Sequence, residues 1–292
     1  MAKGISLHVG LNRIDPKHYA GWDGKLNACE NDARSMEELA QAMGYRTEIR
    51  LSEQGTRGAV AEFLTKAARD LKSGDILLLT YSGHGNQVKD LDGDEADAQD
   101  ETWCLYDGQM IDDELYRMYG ALAEGVRVLI LSDSCHSGTV AKAVFYEIAQ
   151  TSGLAGALQL SMVGEGAPKG ATYGAKFLPL DVALRTYEQN KPFYETIGRG
   201  AKSEPGAEKG ETAKASIRLI SGCQDNQLSY DGAINSAFTA ALLLVWAEGK
   251  FSGDYGDFHI QIQSKMLPTQ SPNHFKVGKQ DLAYDRQKPF TI

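Results

Sequence analysis

The sequence predicts an α/β fold, a central, mostly parallel β-sheet with helices on both faces. Two observations carry this expectation. Four apolar, β-rich runs, Ile5–Val9, Ile76–Tyr81, Val126–Leu131 and Ile217–Ile220, are nearly continuous rather than alternating. That is the pattern of strands buried on both faces. Helical patterns alternate with the runs, and alternating strands and helices close into a parallel sheet through right-handed crossovers.

The elements follow in chain order. Asn31 or Asp32 is placed to cap a first helix that turns Met36, Leu39 and Met43 inward, with Gly44 just past its end. A second helix carries Val60, Phe63, Leu64, Ala67 and Leu71, and Gly74 is read as its stop. A third is expected from Asp112 to about Leu122. A fourth, Ser236–Ala247, is apolar nearly all round and is expected to be buried. Two segments break the rhythm. Residues 89–101 read KDLDGDEADAQDE, and residues 161–215 are rich in Gly, Ala, Lys and Glu with few periodic elements. The second reads as a long surface insertion or linker. The chain thus divides into a large part over 1–160, an insertion over 161–215 and a small part over 216–292 that completes the same fold.

Composition narrows the function classes. The 292 residues carry 30 basic and 39 acidic side chains, a formal charge of −9. An acidic balance argues against a general nucleic-acid binder and suits basic substrates. With 42% hydrophobic and 24% charged residues, the chain reads as globular rather than disordered. The longest apolar stretch falls far short of the ~20 residues that span a bilayer. The first residues hold no apolar core of signal-peptide length. Four scattered cysteines, Cys29, Cys104, Cys135 and Cys223, form neither a disulfide scaffold nor a zinc spacing. A cytoplasmic protein with reduced thiols is expected.

Chemistry is sought beyond the carboxyl ends of the strands, where open α/β sheets bind ligands. There the sequence reads Tyr81-Ser82-Gly83-His84-Gly85, then Ser132-Asp133-Ser134-Cys135-His136-Ser137-Gly138, then Ser221-Gly222-Cys223-Gln224-Asp225. If the first two strands are neighbours, ~4.8 Å apart, His84 and Cys135 can face one another. A thiol beside an imidazole is an activated nucleophile. Spacing alone leaves the alternative open that Cys135 is a buried small hydrophobe and His84 a satisfied core group.

Six motifs, taken together, resemble those of the metacaspases and the related prokaryotic orthocaspases, caspase-like cysteine peptidases. The first two are the histidine and cysteine segments just quoted. Leu26-Asn27-Ala28-Cys29-Glu30-Asn31-Asp32-Ala33 is similar to an early segment of that family. Asp90-Leu91-Asp92-Gly93-Asp94-Glu95, Ile111-Asp112-Asp113-Glu114 and Ser221-Gly222-Cys223-Gln224-Asp225-Asn226-Gln227 are similar to three later ones. The resemblance runs from about residue 3 to 150 and resumes near 216.

This resemblance implies Cys135 as nucleophile and His84 as general base and acid, with the Gly85 and Cys135 N–H groups as oxyanion hole. His136 is implied not to be the base. Asp32 and Asp133 fall on positions that bind a basic P1 residue, with Ser82 and Cys29 beside them. A carboxylate pair with a hydroxyl suits a guanidinium and repels an aspartate. The residue-level alternatives are a helix cap for Asp32 and a strand-end turn for Asp133. Asp100, Asp112 and Asp113 match positions that hold calcium in many relatives, but Lys142 stands where a further acid is usual. No cofactor is therefore expected to be required, and any Ca²⁺ dependence to be weak. The acidic run does not make an EF-hand, since Glu95 stands where the loop needs glycine.

The resulting expectation is an Arg/Lys-specific cysteine endopeptidase working through a thioester. Arg199, Lys202, Lys209 and Lys214 are candidate self-processing sites. The expected partners are proteins or peptides with exposed Arg or Lys, not nucleic acid or membrane, and the chain is expected to be a monomer. The alternatives are a pseudo-protease scaffold or binding module, and a protease that needs an activating partner, a regulator or proteolytic nicking.

Overall fold

The computed structural model describes residues 2–89, 99–134, 175–201, 213–224, 227 and 229–292. Six strands form the main sheet in the order β2-β1-β3-β7-β8-β9. They are β1 (Gly4–Gly10), β2 (Arg46–Leu51), β3 (Ile76–Ser82), β7 (Arg127–Asp133), β8 (Ser216–Ser221) and β9 (Asn273–Gly278). All pair in parallel except β9, which runs antiparallel at the edge. A small antiparallel sheet of β4 (Gly85–Lys89), β5 (Gln99–Leu105) and β6 (Gly108–Ile111) leaves the end of β3.

The four continuous apolar runs are β1, β3, β7 and β8, the four central strands, and β3 is buried at every position. Alternate side chains feed two cores. Leu77 and Leu79 join Val60, Phe63 and Leu64 of α2 (Arg57–Asp70) and Leu115 of α3 (Asp112–Gly120) on one face. Ile76 and Leu78 join Met36 and Leu39 of α1 (Cys29–Ala42) on the other. The rest of the chain adds α4 (Leu180–Gln189), α5 (Lys191–Ala201), α6 (Ala237–Trp246), α7 (Tyr255–Gln263) and α8 (Leu282–Asp285).

Four expectations change. The first helix is not capped by Asn31 or Asp32. It begins at Cys29, and the N–H groups of Asn27 and Ala28 are taken by the carboxylate of Asp231, at 2.6 and 2.8 Å. A distant acid thus does the work of a local cap and leaves the Asp32 side chain for other partners. The second helix ends at Asp70, and Gly74 makes the turn after it with φ of 89°. The fourth helix is not buried all round, because Leu244 is 65% exposed. The 161–215 segment is not without periodic structure, since α4 and α5 lie within it.

Candidate active site

The site is built where β3 and β7 end side by side. Their register closes on Ser82 opposite Asp133. His84 and Cys135 each follow two residues later; Cys135 lies outside the described residues, as do His136, Lys142, Lys202 and Lys209.

His84 is buried and tightly positioned. Its carbonyl accepts hydrogen bonds from the Tyr81 hydroxyl at 2.7 Å and from Cys104 N–H at 2.9 Å. Its ring lies 4.8 Å from that of Trp22, and its Nε2 meets the Gly24 carbonyl at 2.8 Å. A carbonyl only accepts, so Nε2 carries the proton and Nδ1 keeps its lone pair. Burial lowers the imidazole pKa to about 4 against the opposing pull of the Gly24 carbonyl, and the Lys176 ammonium acts in the same direction as burial. At neutral pH the ring is an uncharged acceptor. Gly24 has φ of 58°, and a Cβ there would sit 2.8 Å from Ile14 and 3.1 Å from the His84 ring. The position thus needs glycine on both counts.

The four residues expected at the specificity pocket come together. Asp32, from the first turn of α1, reaches the ends of the strands. Its carboxylate accepts from Ser82 Oγ at 2.7 Å, from Ser236 N–H at 2.9 Å, from Asn235 Nδ2 at 3.0 Å and from the Ser236 hydroxyl. Asp133 accepts from the Ser229 hydroxyl and from Thr239 Oγ1 at 3.3 Å. Both acids are buried, as is Cys29. Burial pushes the Cys29 thiol well above its ordinary pKa, so it is an unreactive part of the pocket wall. Gly222 lets the pocket close, because a Cβ there would meet Asp133 at 2.9 Å and Ser229 at 3.1 Å.

The pocket holds a cation from the chain itself. Lys176 Nζ stands 3.0 Å from Asp133 Oδ2, 2.9 Å from Ser82 Oγ, 3.4 Å from Asp32 Oδ2 and 3.3 Å from the Asp133 carbonyl. Its side chain is 0% exposed. Burial alone would lower its pKa, but the negative charge of Asp133, with that of Asp32 beside it, more than offsets this and raises it above the ordinary lysine value. Burial raises the Asp133 carboxyl, with the ammonium pulling the other way. The Lys176 backbone is equally engaged. Its N–H donates to the Ser229 carbonyl at 3.0 Å, and its carbonyl accepts from Gly85 N–H at 3.0 Å. Sequence reasoning missed Lys176, Gly24, Ser229 and Ser236. Only the basic composition of 161–215 hinted at the first.

The acids expected for calcium lie elsewhere. Asp112 and Asp113 open α3, and Asp100 is buried on β5. The Asp112 carboxylate accepts from Asp113 N–H at 3.1 Å. Among the described residues no three His, Cys, Asp or Glu side chains gather as a metal would require.

The fold is shared with known structures. Caspase-1 from Spodoptera frugiperda superposes with a TM-score of 0.56 at 10% identity, covering 99% of this chain and 92% of that one, a likeness of fold alone. Protein GSU0716 from Geobacter sulfurreducens is 48% identical, with a TM-score of 0.84 and 99% of each chain covered. The caspase domain family model matches residues 14–288. The chain belongs to the caspase domain family, a family of cysteine peptidases, and is related to the metacaspases. Metacaspase-1 of Ajellomyces capsulatus is 31% identical over 259 residues, 81% of this chain and 68% of that protein. Metacaspase-1 of Schizosaccharomyces pombe is 31% identical over 261 residues, but this chain spans only 59% of its length. No helix among the described residues is long and apolar enough to cross a membrane.

Proposed function

We propose that the protein is a cysteine endopeptidase that cuts after basic residues, Arg first and Lys second. The carrying observation is the pair of buried carboxylates, Asp32 and Asp133, converging with the Ser82 hydroxyl on an ammonium group. A lysine meets such a site as a point charge. An arginine would offer five donors in a plane to the same two acids. An acidic P1 side chain would add a third negative charge to a buried pocket.

His84 Nδ1 takes the thiol proton of Cys135 as its sulfur attacks the scissile carbonyl, and returns that proton to the departing amine. Gly24 holds the ring in the required tautomer. Gly85 N–H donates to the carbonyl oxygen as it gains negative charge. Water then opens the thioester, which releases the acid and restores the thiol. No step is routed through calcium.

The test is release of a fluorophore from peptides ending in Arg, Lys or Asp, with native protein and Cys135→Ala side by side, with and without a chelator. Arg should be cut fastest, Lys more slowly and Asp not at all. Turnover should vanish in Cys135→Ala and change less than twofold on chelation. Preference for Asp would overturn the pocket reading, and a strict calcium requirement the metal reading. Silence on every peptide would favour a binding module.

A further inference from the structure

We propose that Asp231 is a positioning residue for the recognition of basic side chains: it holds the start of α1, and α1 carries Asp32 into the pocket. The inference rests on the peptidase reading above and adds to it a residue that stands behind the pocket wall.

Helix α1 starts without a cap of its own. Alanine, Ala28, stands at the N-cap position and makes no side-chain cap, so the N–H groups of this end need acceptors from elsewhere. Asn12 Oδ1 takes that of Glu30 at 3.1 Å. Asp231 takes the two just before the helix, Asn27 N–H at 2.6 Å through Oδ2 and Ala28 N–H at 2.8 Å through Oδ1. Its Oδ2 also accepts from the Asn27 side-chain amide at 3.2 Å. Both carboxylate oxygens are thus used, and Asp231 is 0% exposed. Charge-assisted hydrogen bonds and the positive end of the helix dipole both favour a carboxylate there.

The path from Asp231 to Asp32 is one residue long. Ala28 gives its N–H to Asp231, and its carbonyl accepts from Asp32 N–H at 2.8 Å. The same loop then holds the Asp32 side chain. Asn235 Nδ2 and Ser236 N–H reach Oδ1 at 3.0 and 2.9 Å, and the Ser236 hydroxyl reaches Oδ2. Ala237 N–H closes this loop on the Tyr230 carbonyl at 3.2 Å. One loop after β8 therefore holds α1 at two points. Asp231 sets where the helix starts, and Asn235 and Ser236 set where its carboxylate points.

An amide at 231 keeps the size and loses half of the acceptors. Its NH₂ would face the N–H of Asn27 or of Ala28, and α1 must shift to separate the two donors. Asp32 shifts with it. A guanidinium feels such a shift more than an ammonium, because it bonds along fixed directions in a plane, whereas an ammonium acts as a point charge. Asp231 thus acts through Asp32 on binding, and a loss of binding alone raises KM while kcat holds.

The test measures kcat and KM for Arg and Lys peptides on the full chain, native and as Asp231→Asn, Asn27→Ala and Arg218→Ala, each below its melting temperature. In Asp231→Asn, KM should rise about tenfold for Arg peptides and about threefold for Lys peptides, with kcat within about twofold. The preference for Arg over Lys should therefore fall about threefold. Asn27 is exposed, so Asn27→Ala removes one donor to Asp231 and spares the fold; it should raise KM for Arg peptides about twofold. Arg218→Ala loses stability away from the pocket and should keep both KM values and the preference, which separates positioning from mere destabilisation. Folded Asp231→Asn with native KM and preference would overturn the inference, as would a fall in kcat at unchanged KM. If Asp231→Asn does not fold, Asn27→Ala decides, and an unchanged KM there overturns it. In each of these cases native protein that prefers Arg leaves the peptidase reading intact. Native protein that cuts no basic peptide would overturn both.

Discussion

Two buried cations in this molecule are held in opposite ways. Arg218 of β8 stands against the rings of Tyr255 and Tyr284, 4.4 and 5.0 Å from their centres, and pairs with Asp285 at 2.7 Å. At Lys176 two carboxylates, a hydroxyl and a carbonyl converge on the tip. Aromatic rings stand against the Arg218 guanidinium, so its partners suit that planar group. The partners of Lys176 are oxygens that meet the tip of the side chain. The two cations thus differ less in burial than in whether aromatic faces or converging oxygens hold the charge.

The sharpest way to break this comparison is to remove one partner from each. Asp133→Ala should lower kcat/KM for basic peptides about 10³-fold, matching about 4 kcal/mol for stripping one member of a buried charge pair. Arg218→Ala should cost about 2–3 kcal/mol of stability from lost packing and cation–π contact, yet keep kcat/KM within threefold below its melting temperature. Peptide kinetics and thermal melts on both variants decide it. Activity surviving in the first, or lost in folded protein of the second, would erase the distinction.

A smaller effect is expected at Gly24. Gly24→Ala forces a Cβ onto Ile14 and the His84 ring at positive φ, so a stability loss of about 1 kcal/mol should accompany a roughly tenfold fall in kcat as the ring is displaced. A fall in kcat with KM unchanged separates this positioning role from damage to the pocket.

The mildest test is pH. The unfolded imidazole titrates near 6.5, whereas burial holds that of His84 at about 4 in the folded chain. The unfolded chain therefore binds a proton that the folded chain refuses between these values, and His84 makes stability fall as pH drops through that window. The acid limb of kcat/KM for Arg peptides should lie near pH 4. A limb near 6.5 would show the ring to be solvated in the reacting state.

The central strands were legible because burial on both faces writes itself as an unbroken apolar run. β2 was not, since Arg46–Leu51 is a half-exposed edge strand with three charged residues among six. The small sheet was hidden because polar groups satisfied by one another, Asn86, Thr102 and Gln109, interrupt its buried apolar residues. His84 could be named because it stands just beyond a recognisable strand, whereas the pocket role of Asp32, Ser82 and Asp133 came only from the resemblance of the motifs around them. Lys176 could not, because its partners lie 43 to 144 residues away and nothing local distinguishes a lysine that will be buried. The helices α4 and α5 were lost by averaging one composition over the whole of 161–215.

The parallel pairing of β7 with β8 has a consequence for a chain nicked between them by an added protease. β8 lies on the far side of the cut, yet it is paired along its whole length with β7 on the near side and is itself covered by β9. The two pieces would stay together as a heterodimer of one former chain, of unchanged size on a native column. What would change is the molecularity of unfolding. The intact chain melts at a temperature independent of its concentration, whereas two pieces that separate on melting lower their melting temperature when diluted.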